Sequence, residues 1–177
     1  MNILEVLKRD LRIKPKQLRG NGFVPATISG GKYKDGLNIQ IYEGDVKKLF
    51  RENREGSKLT IKVDDELIPV QIKEKAVSPL MGEILHVDFQ ALEADHKVNS
   101  VIDIILENED VVTAPLEKMM MRIPYSAYPA DMIDTVTVNM EGIEPGTILT
   151  VGDIKEINND KIELQVPAES IVLRILG

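Results

Sequence analysis

Apolar and polar residues alternate with a period of two along much of this chain, the signature of strands with one buried face. Leu37, Ile39 and Ile41 fall on one side of a segment whose other side carries Asn38, Gln40 and Tyr42. Leu59, Ile61 and Val63 repeat the pattern. Asp64–Asp65 then predicts a turn, and Leu67 to Ile72 the return strand of a hairpin. Residues 2–9 alternate weakly and predict another strand, as do Phe23 to Ile28 and Glu83 to Phe89. Proline cannot donate to a ladder, so Pro25 points to an edge or a strand start and Pro69 to an edge.

Two segments break the alternation. Arg12 to Gly22 is polar and basic and contains Pro15, Gly20 and Gly22, which predicts a loop with at most one helical turn around Lys16–Arg19. Val46, Leu49 and Phe50 recur at i, i+3 and i+4, which predicts a short helix with Asp45 as its N-cap and Gly56 at its end. Short strands joined in sequence favour an antiparallel barrel, and the intervening loops and helix predict one that is partly open.

Ala91 to Lys97 (ALEADHK) is polar and marks a boundary. Beyond it the strand pattern resumes at Val101 to Leu106, Lys118 to Pro124, Thr135 to Met140, Ile148 to Val151, Ile162 to Val166 and Ile171 to Ile175, with no sustained helical period. The expected architecture is mainly β. Residues 1–92 form a six-stranded, partly open β-barrel with one or two short helices, and residues 93–177 a small all-β, sandwich-like domain.

Charge separates the two halves further. The chain carries −7 overall, which argues against a nucleic-acid partner until its distribution is read. Residues 1–92 hold 16 Lys and Arg against 13 Asp and Glu, a net of +3, and residues 93–177 hold 6 against 16, a net of −10. Eight of the basic residues lie between Met1 and Lys34. Such a segment can neutralise phosphates even in an acidic chain, or it can be a solvated face with no partner. There is no cysteine, so disulfides and thiolate chemistry are excluded. No apolar run approaches the roughly 20 residues that span a bilayer. The start, MNILEVLKRDLR, has its basic charges after its apolar residues, the reverse of a secretory signal. A soluble cytoplasmic protein without a membrane partner is expected.

Little in the chain suggests catalysis. There are two histidines. His96 lies in the polar linker. His86 and Asp88 are two apart on a predicted strand and share its outer face, while Val87 and Phe89 face the core. Such a pair can be half of a triad, part of a metal site, a hydrogen-bonding pair for a ligand, or a surface pair that orients only itself. Ser29 is available as a nucleophile but lacks a nucleophile-elbow context. A zinc site needs about three or four ligands, and no Cys or third His supplies them. Gly30-Gly31-Lys32 is too short to cradle a nucleotide. Neither a cofactor nor a small-molecule substrate is expected. In Met119-Met120-Met121, filling of a core at one face is the favoured reading over an adaptable binding surface.

Leu18-Arg19-Gly20-Asn21-Gly22-Phe23-Val24-Pro25-Ala26, then Gly30-Gly31, then Ser78-Pro79-Leu80-Met81-Gly82-Glu83-Ile84-Leu85-His86-Val87-Asp88-Phe89, together resemble the bacterial large-subunit ribosomal protein L-twenty-five family. The similarity is greatest to its longer, two-domain members of the general stress protein Ctc type. Pro129 to Ile133 and Gly142 to Ile154 resemble the second β-domain of those members. The resemblance implies a cytoplasmic, ribosome-associated protein that is monomeric off the ribosome and whose barrel binds 5S ribosomal RNA, with other large-subunit proteins as further partners. It implies that Lys14 and Arg19 contact phosphates, and that His86 and Asp88 reach sugar hydroxyls and base edges. Arg9, Arg12, Lys16 and Ser29 complete the expected RNA-binding set. Ser29 stands where the family has Tyr, Ser78 where it has His, and Asp10 where an arginine falls. These departures motivate an alternative, a divergent stress-related relative that keeps the fold and binds another RNA or protein, through its acidic second domain.

Overall fold

The computed structural model describes residues 3–177. The chain divides into two compact units, Met1–Glu93 and Ala94–Gly177.

The first unit is a six-stranded barrel in which β1 (Ile3–Lys8), β2 (Phe23–Gly30), β3 (Tyr33–Tyr42), β4 (Lys58–Val63), β5 (Glu66–Val77) and β6 (Ile84–Ala91) close in the order β1-β3-β2-β6-β5-β4. The expected strand over residues 2–9 is therefore observed from Ile3 on, Asn2 lying outside the described residues. Closure is complete, not partial. It depends on two parallel pairings between segments remote in sequence, Ile3 to Val6 of β1 against Thr60 to Val63 of β4, and Ala26 to Ser29 of β2 against Val87 to Gln90 of β6. A closed barrel has no free edge, so neither Pro25 nor Pro69 lies at one; Pro25 falls instead near the start of β2, the other position expected for it. Both prolines are tolerated for a related local reason. The β2–β6 ladder begins at Ala26 and the β5–β6 ladder at Val70, so each proline stands one residue outside the pairing with β6.

The core of this unit is aliphatic around one aromatic ring. Val24, Ala26, Ile28, Ile39, Ile41, Ile61, Val70, Ile72, Val87 and Phe89 point inward and are almost fully buried. Helix α2 (Glu43–Glu52) adds Val46 and Leu49 to that core. It starts three residues earlier than expected. Tyr42 is its N-cap and makes no side-chain capping bond, because β3 runs directly into the helix. Asp45 instead lies in the first turn beside Glu43, where a carboxylate still opposes the positive end of the helix dipole. Helix α1 (Pro15–Gly20) is the short turn expected from the sequence. Pro15 sits in its first turn, where no amide donor is needed, and buried Leu18 fastens it. Gly22, at φ +82°, supplies the left-handed residue that turns the chain into β2.

The second unit contains two sheets. One has the order β10-β7-β9-β12 and the other β11-β13-β8, with β7 Val98–Glu107, β8 Leu116–Lys118, β9 Arg122–Ala127, β10 Thr135–Asn139, β11 Ile148–Thr150, β12 Glu163–Leu164 and β13 Ile171–Ile175. The single strand expected over 118–124 is in fact two. Residues 116–118 pair with β13, residues 122–127 pair with β7, and the methionines cross between the sheets. Met120 and Met121 pack on the core while Met119 is exposed. Tyr125 is fully buried. Its hydroxyl donates to the Ile133 carbonyl and accepts from the Ile133 amide, both at 2.9 Å. Burial raises the Tyr125 phenol above its ordinary value.

Candidate nucleic-acid interface

Strand β6 joins the core to the candidate site, because its side chains alternate across the barrel wall. Val87 and Phe89 are fully buried, and His86 and Asp88 emerge half-buried on the outside. His86 Nε2 lies 3.1 Å from Asp88 Oδ1 and 3.3 Å from Thr27 Oγ1. The parallel register sets Thr27 opposite Asp88 and Ser29 opposite Gln90. Ser29 donates to the Phe89 carbonyl at 3.4 Å. Gln90 continues the polar strip and accepts from the buried Gln71 side chain at 3.1 Å.

The ladders extend this strip into a row across the barrel. The Arg9 amide donates to the Asn38 carbonyl, Asn38 stands opposite Thr27, Thr27 opposite Asp88, and Asp88 opposite Glu74. Arg9, at the end of β1, is thus tied by its backbone to the row that holds the His–Asp pair. Its Nε is buried and has no hydrogen-bond partner among the described residues.

The other expected basic residues divide into two groups. Arg19 is partly buried, and its Nη1 donates to the Leu85 carbonyl at 3.4 Å, one residue before His86. With Lys16 it lines a cleft of about 370 Å³ between α1 and the start of β6, where Phe23, Glu83, Ile84 and Leu85 form other parts of the wall. Lys14, the extended residue before α1, is exposed, as is Lys16. Arg12 differs. Its guanidinium grips Asp10 at 2.7 Å and 2.9 Å, which holds the Asp10 carboxyl down at about 2, from an ordinary 3.8. The structure therefore brings Arg19, Ser29, His86 and Asp88 together through β2 and β6, reaches Arg9 through β3, leaves Lys14 and Lys16 solvated, and spends Arg12 on a carboxylate two residues away.

Thr27 belongs to this site but was absent from the sequence-based set. Its alternation with buried Ala26 and Ile28 marks it as outward-facing. Only the β2–β6 register, which sequence pattern does not give, sets it against His86.

The side chains gathered here are hydrogen-bond donors and acceptors beside guanidinium and ammonium groups. Ser29 and His86 are each bonded elsewhere, to Phe89 and to Thr27 and Asp88, not to one another. Among the described residues no group of three or more His, Cys, Asp or Glu is disposed to hold a metal ion, and no helix is long and apolar enough to cross a membrane. Fold and site define a class: a closed β-barrel that offers a ligand a polar outer strip with basic residues at its flank.

The sequence model of the Ribosomal L25p family matches residues 4–89, within the barrel unit. A protein of Geobacillus thermodenitrificans, the large ribosomal subunit protein bL25, is 31% identical over 161 residues, covering 84% of this chain and 74% of its own length. The proteins of that name from Geobacillus kaustophilus and Listeria monocytogenes are 28% and 26% identical, over 90% and 96% of this chain and 76% and 83% of their own lengths. The chain belongs to the ribosomal L25p family, a family of structural ribosomal proteins.

Proposed function

We propose that this protein binds 5S ribosomal RNA within the large ribosomal subunit, as a structural component and not as an enzyme, and that it works in the cytoplasm on the ribosome. The relatives are named as proteins of that subunit, which supports the assignment. The observation that carries the RNA site is the outer strip of β2 and β6, where His86, Asp88 and Thr27 meet beside Arg19. A-form RNA presents a wide, shallow minor groove lined with 2′-hydroxyls, and sequence-specific readers add contacts to base edges. Asp88 accepts hydrogen bonds, which suits a 2′-hydroxyl or a base amino group and not a phosphate. Arg19, Lys16 and Lys14 suit phosphates, and Arg9 lies at the far end of the row. Arg12, already paired, contributes less.

Titration of the full-length protein against bacterial 5S ribosomal RNA at several salt concentrations tests the proposal. Wild-type affinity should fall steeply as salt rises. Arg19→Ala should weaken binding roughly ten- to hundred-fold and lower the salt slope by about one, as expected for one lost phosphate contact. His86→Ala should weaken binding with the slope unchanged. No binding at low salt would contradict the proposal. It would favour the second reading, in which the −10 half of the chain meets another partner.

A further inference from the structure

The hairpin that carries His86 begins with an apolar tip. From Ala76 to Gly82 the chain runs Ala-Val-Ser-Pro-Leu-Met-Gly, seven consecutive uncharged residues in a chain whose residues are 29% charged. Leu80 is 96% exposed and Met81 73%, which makes Leu80 the most exposed large apolar side chain among the described residues. The tip is not a loose loop. The Ser78 amide donates to the Glu83 carbonyl at 2.8 Å and the Gly82 amide to the Ser78 carbonyl at 2.9 Å. Gly82, at φ +66°, takes the left-handed conformation this closure requires. Two large apolar side chains are therefore held out into water on a closed turn, at a position where a charged residue would be better solvated.

The position of the tip selects what it meets. Ala76 stands opposite His86 in the β5–β6 ladder and Val77 opposite Ile84, so the tip joins β6, which carries His86 and Asp88 of the polar strip, to β5 beside it. At its foot, Arg19 holds the Leu85 carbonyl, and Lys16 and Arg19 line the cleft beside Glu83, Ile84 and Leu85. A nucleic acid whose phosphates lie on Lys16 and Arg19 would bring its next nucleotides to Leu80 and Met81. Apolar side chains on architectural nucleic-acid binders wedge against bases and unstack them, and unpaired RNA bases are readily splayed onto flat or apolar surfaces. The methionine thioether is polarizable and adapts to an aromatic edge.

We propose that Leu80 and Met81 form an apolar wedge that packs against the base and ribose faces of unpaired or non-helical nucleotides in the bound RNA, next to the polar strip of His86 and Asp88. This rests on the RNA-binding reading above. The polar strip and the basic flank would set where the RNA lies, and the wedge would select RNA with an irregular segment over a regular duplex.

The test compares wild type, Leu80→Ser/Met81→Ser, Leu80→Phe and His86→Ala in titrations against 5S ribosomal RNA and against a fully paired RNA duplex of similar length. Both wedge side chains are exposed, so the serine double variant should keep the wild-type melting temperature, and its melting curve verifies that it is folded. It should bind 5S RNA roughly ten-fold more weakly with an unchanged salt slope, since no charge is lost. Leu80→Phe should retain the affinity. Duplex binding should be the same for wild type and the serine variant. If wild type and His86→Ala differ on 5S RNA while the serine variant binds like wild type, the wedge is overturned and the RNA site stands. The tip would then be a surface for a protein. If wild type does not bind 5S RNA, both proposals fall together.

Discussion

The two units share a secondary-structure class and differ in nearly everything that decides what they can bind. The barrel carries a net +3 over residues 1–92, closes on itself, and displays its polar strip on continuous ladders. The second unit carries −10 over residues 93–177, splits into two short-stranded sheets, and pairs its few basic residues with acidic neighbours. Lys118 is joined to Glu109, Arg122 to Asp103 and Lys161 to Asp131. Exposed pairs of this kind contribute little to stability, but each leaves one cation fewer for a phosphate. Being all-β therefore predicts neither function. The polar residues that a strand turns outward, and the neighbouring strand that fixes their partners, set it.

The largest effects on this difference come from the cores. Phe89→Ala removes the one fully buried ring among the described residues of the barrel core, on the strand that also carries His86. It should cost about 3–5 kcal/mol and abolish RNA binding with the barrel, measured by chemical denaturation and titration. Tyr125→Phe in the second unit leaves the Ile133 amide and carbonyl without the hydroxyl and should cost about 1–3 kcal/mol. RNA affinity in that variant should match wild type. A comparable loss of affinity from both substitutions would mean the second unit takes part in the site.

Smaller changes sharpen the picture within the barrel. Thr27→Val keeps the β-branched shape and deletes the hydroxyl beside His86, so RNA affinity should fall a few-fold, about 1 kcal/mol, with an unchanged salt slope. Asp10→Asn should act in the opposite direction. It releases Arg12, and 5S RNA affinity should rise slightly with a salt slope steeper by up to about one. The pH behaviour follows from the same pair. Arg12 depresses the Asp10 carboxyl to about 2 from an ordinary 3.8, so the pair is fully formed above that ordinary value and is lost as pH falls through about 2. Titration of the Asp10 carboxyl carbon by NMR should give a midpoint near 2, and a midpoint near 3.8 would mean that Arg12 is free.

Much of the barrel was legible because period-two alternation is a local property. The strand segments, the helical stripe of Val46, Leu49 and Phe50, and the division of β6 into His86 and Asp88 outside and Val87 and Phe89 inside all follow from neighbours in the chain. What was not legible depends on pairing between distant segments. Closure needs β1 beside β4, and Thr27 reaches His86 only through the β2–β6 register. Local competition hid the rest. Asp45 looked like a cap because nothing in the residues shows that β3 continues straight into the helix. Arg12 stood in the expected RNA-binding set because its pairing with Asp10 forms only when the turn after β1 is built.

The proposed RNA contact lies on the outer strip of the barrel and not on the acidic unit. Backbone amide shifts of the isotope-labelled full-length protein, recorded as 5S ribosomal RNA is added at low salt, test it most directly. The predicted result is a set of perturbed amides around Lys16, Arg19, Thr27, Ser29, His86 and Asp88, with those from Ala94 to Gly177 unmoved. Perturbations confined to Ala94–Gly177, with the β2 and β6 amides unmoved, would contradict it.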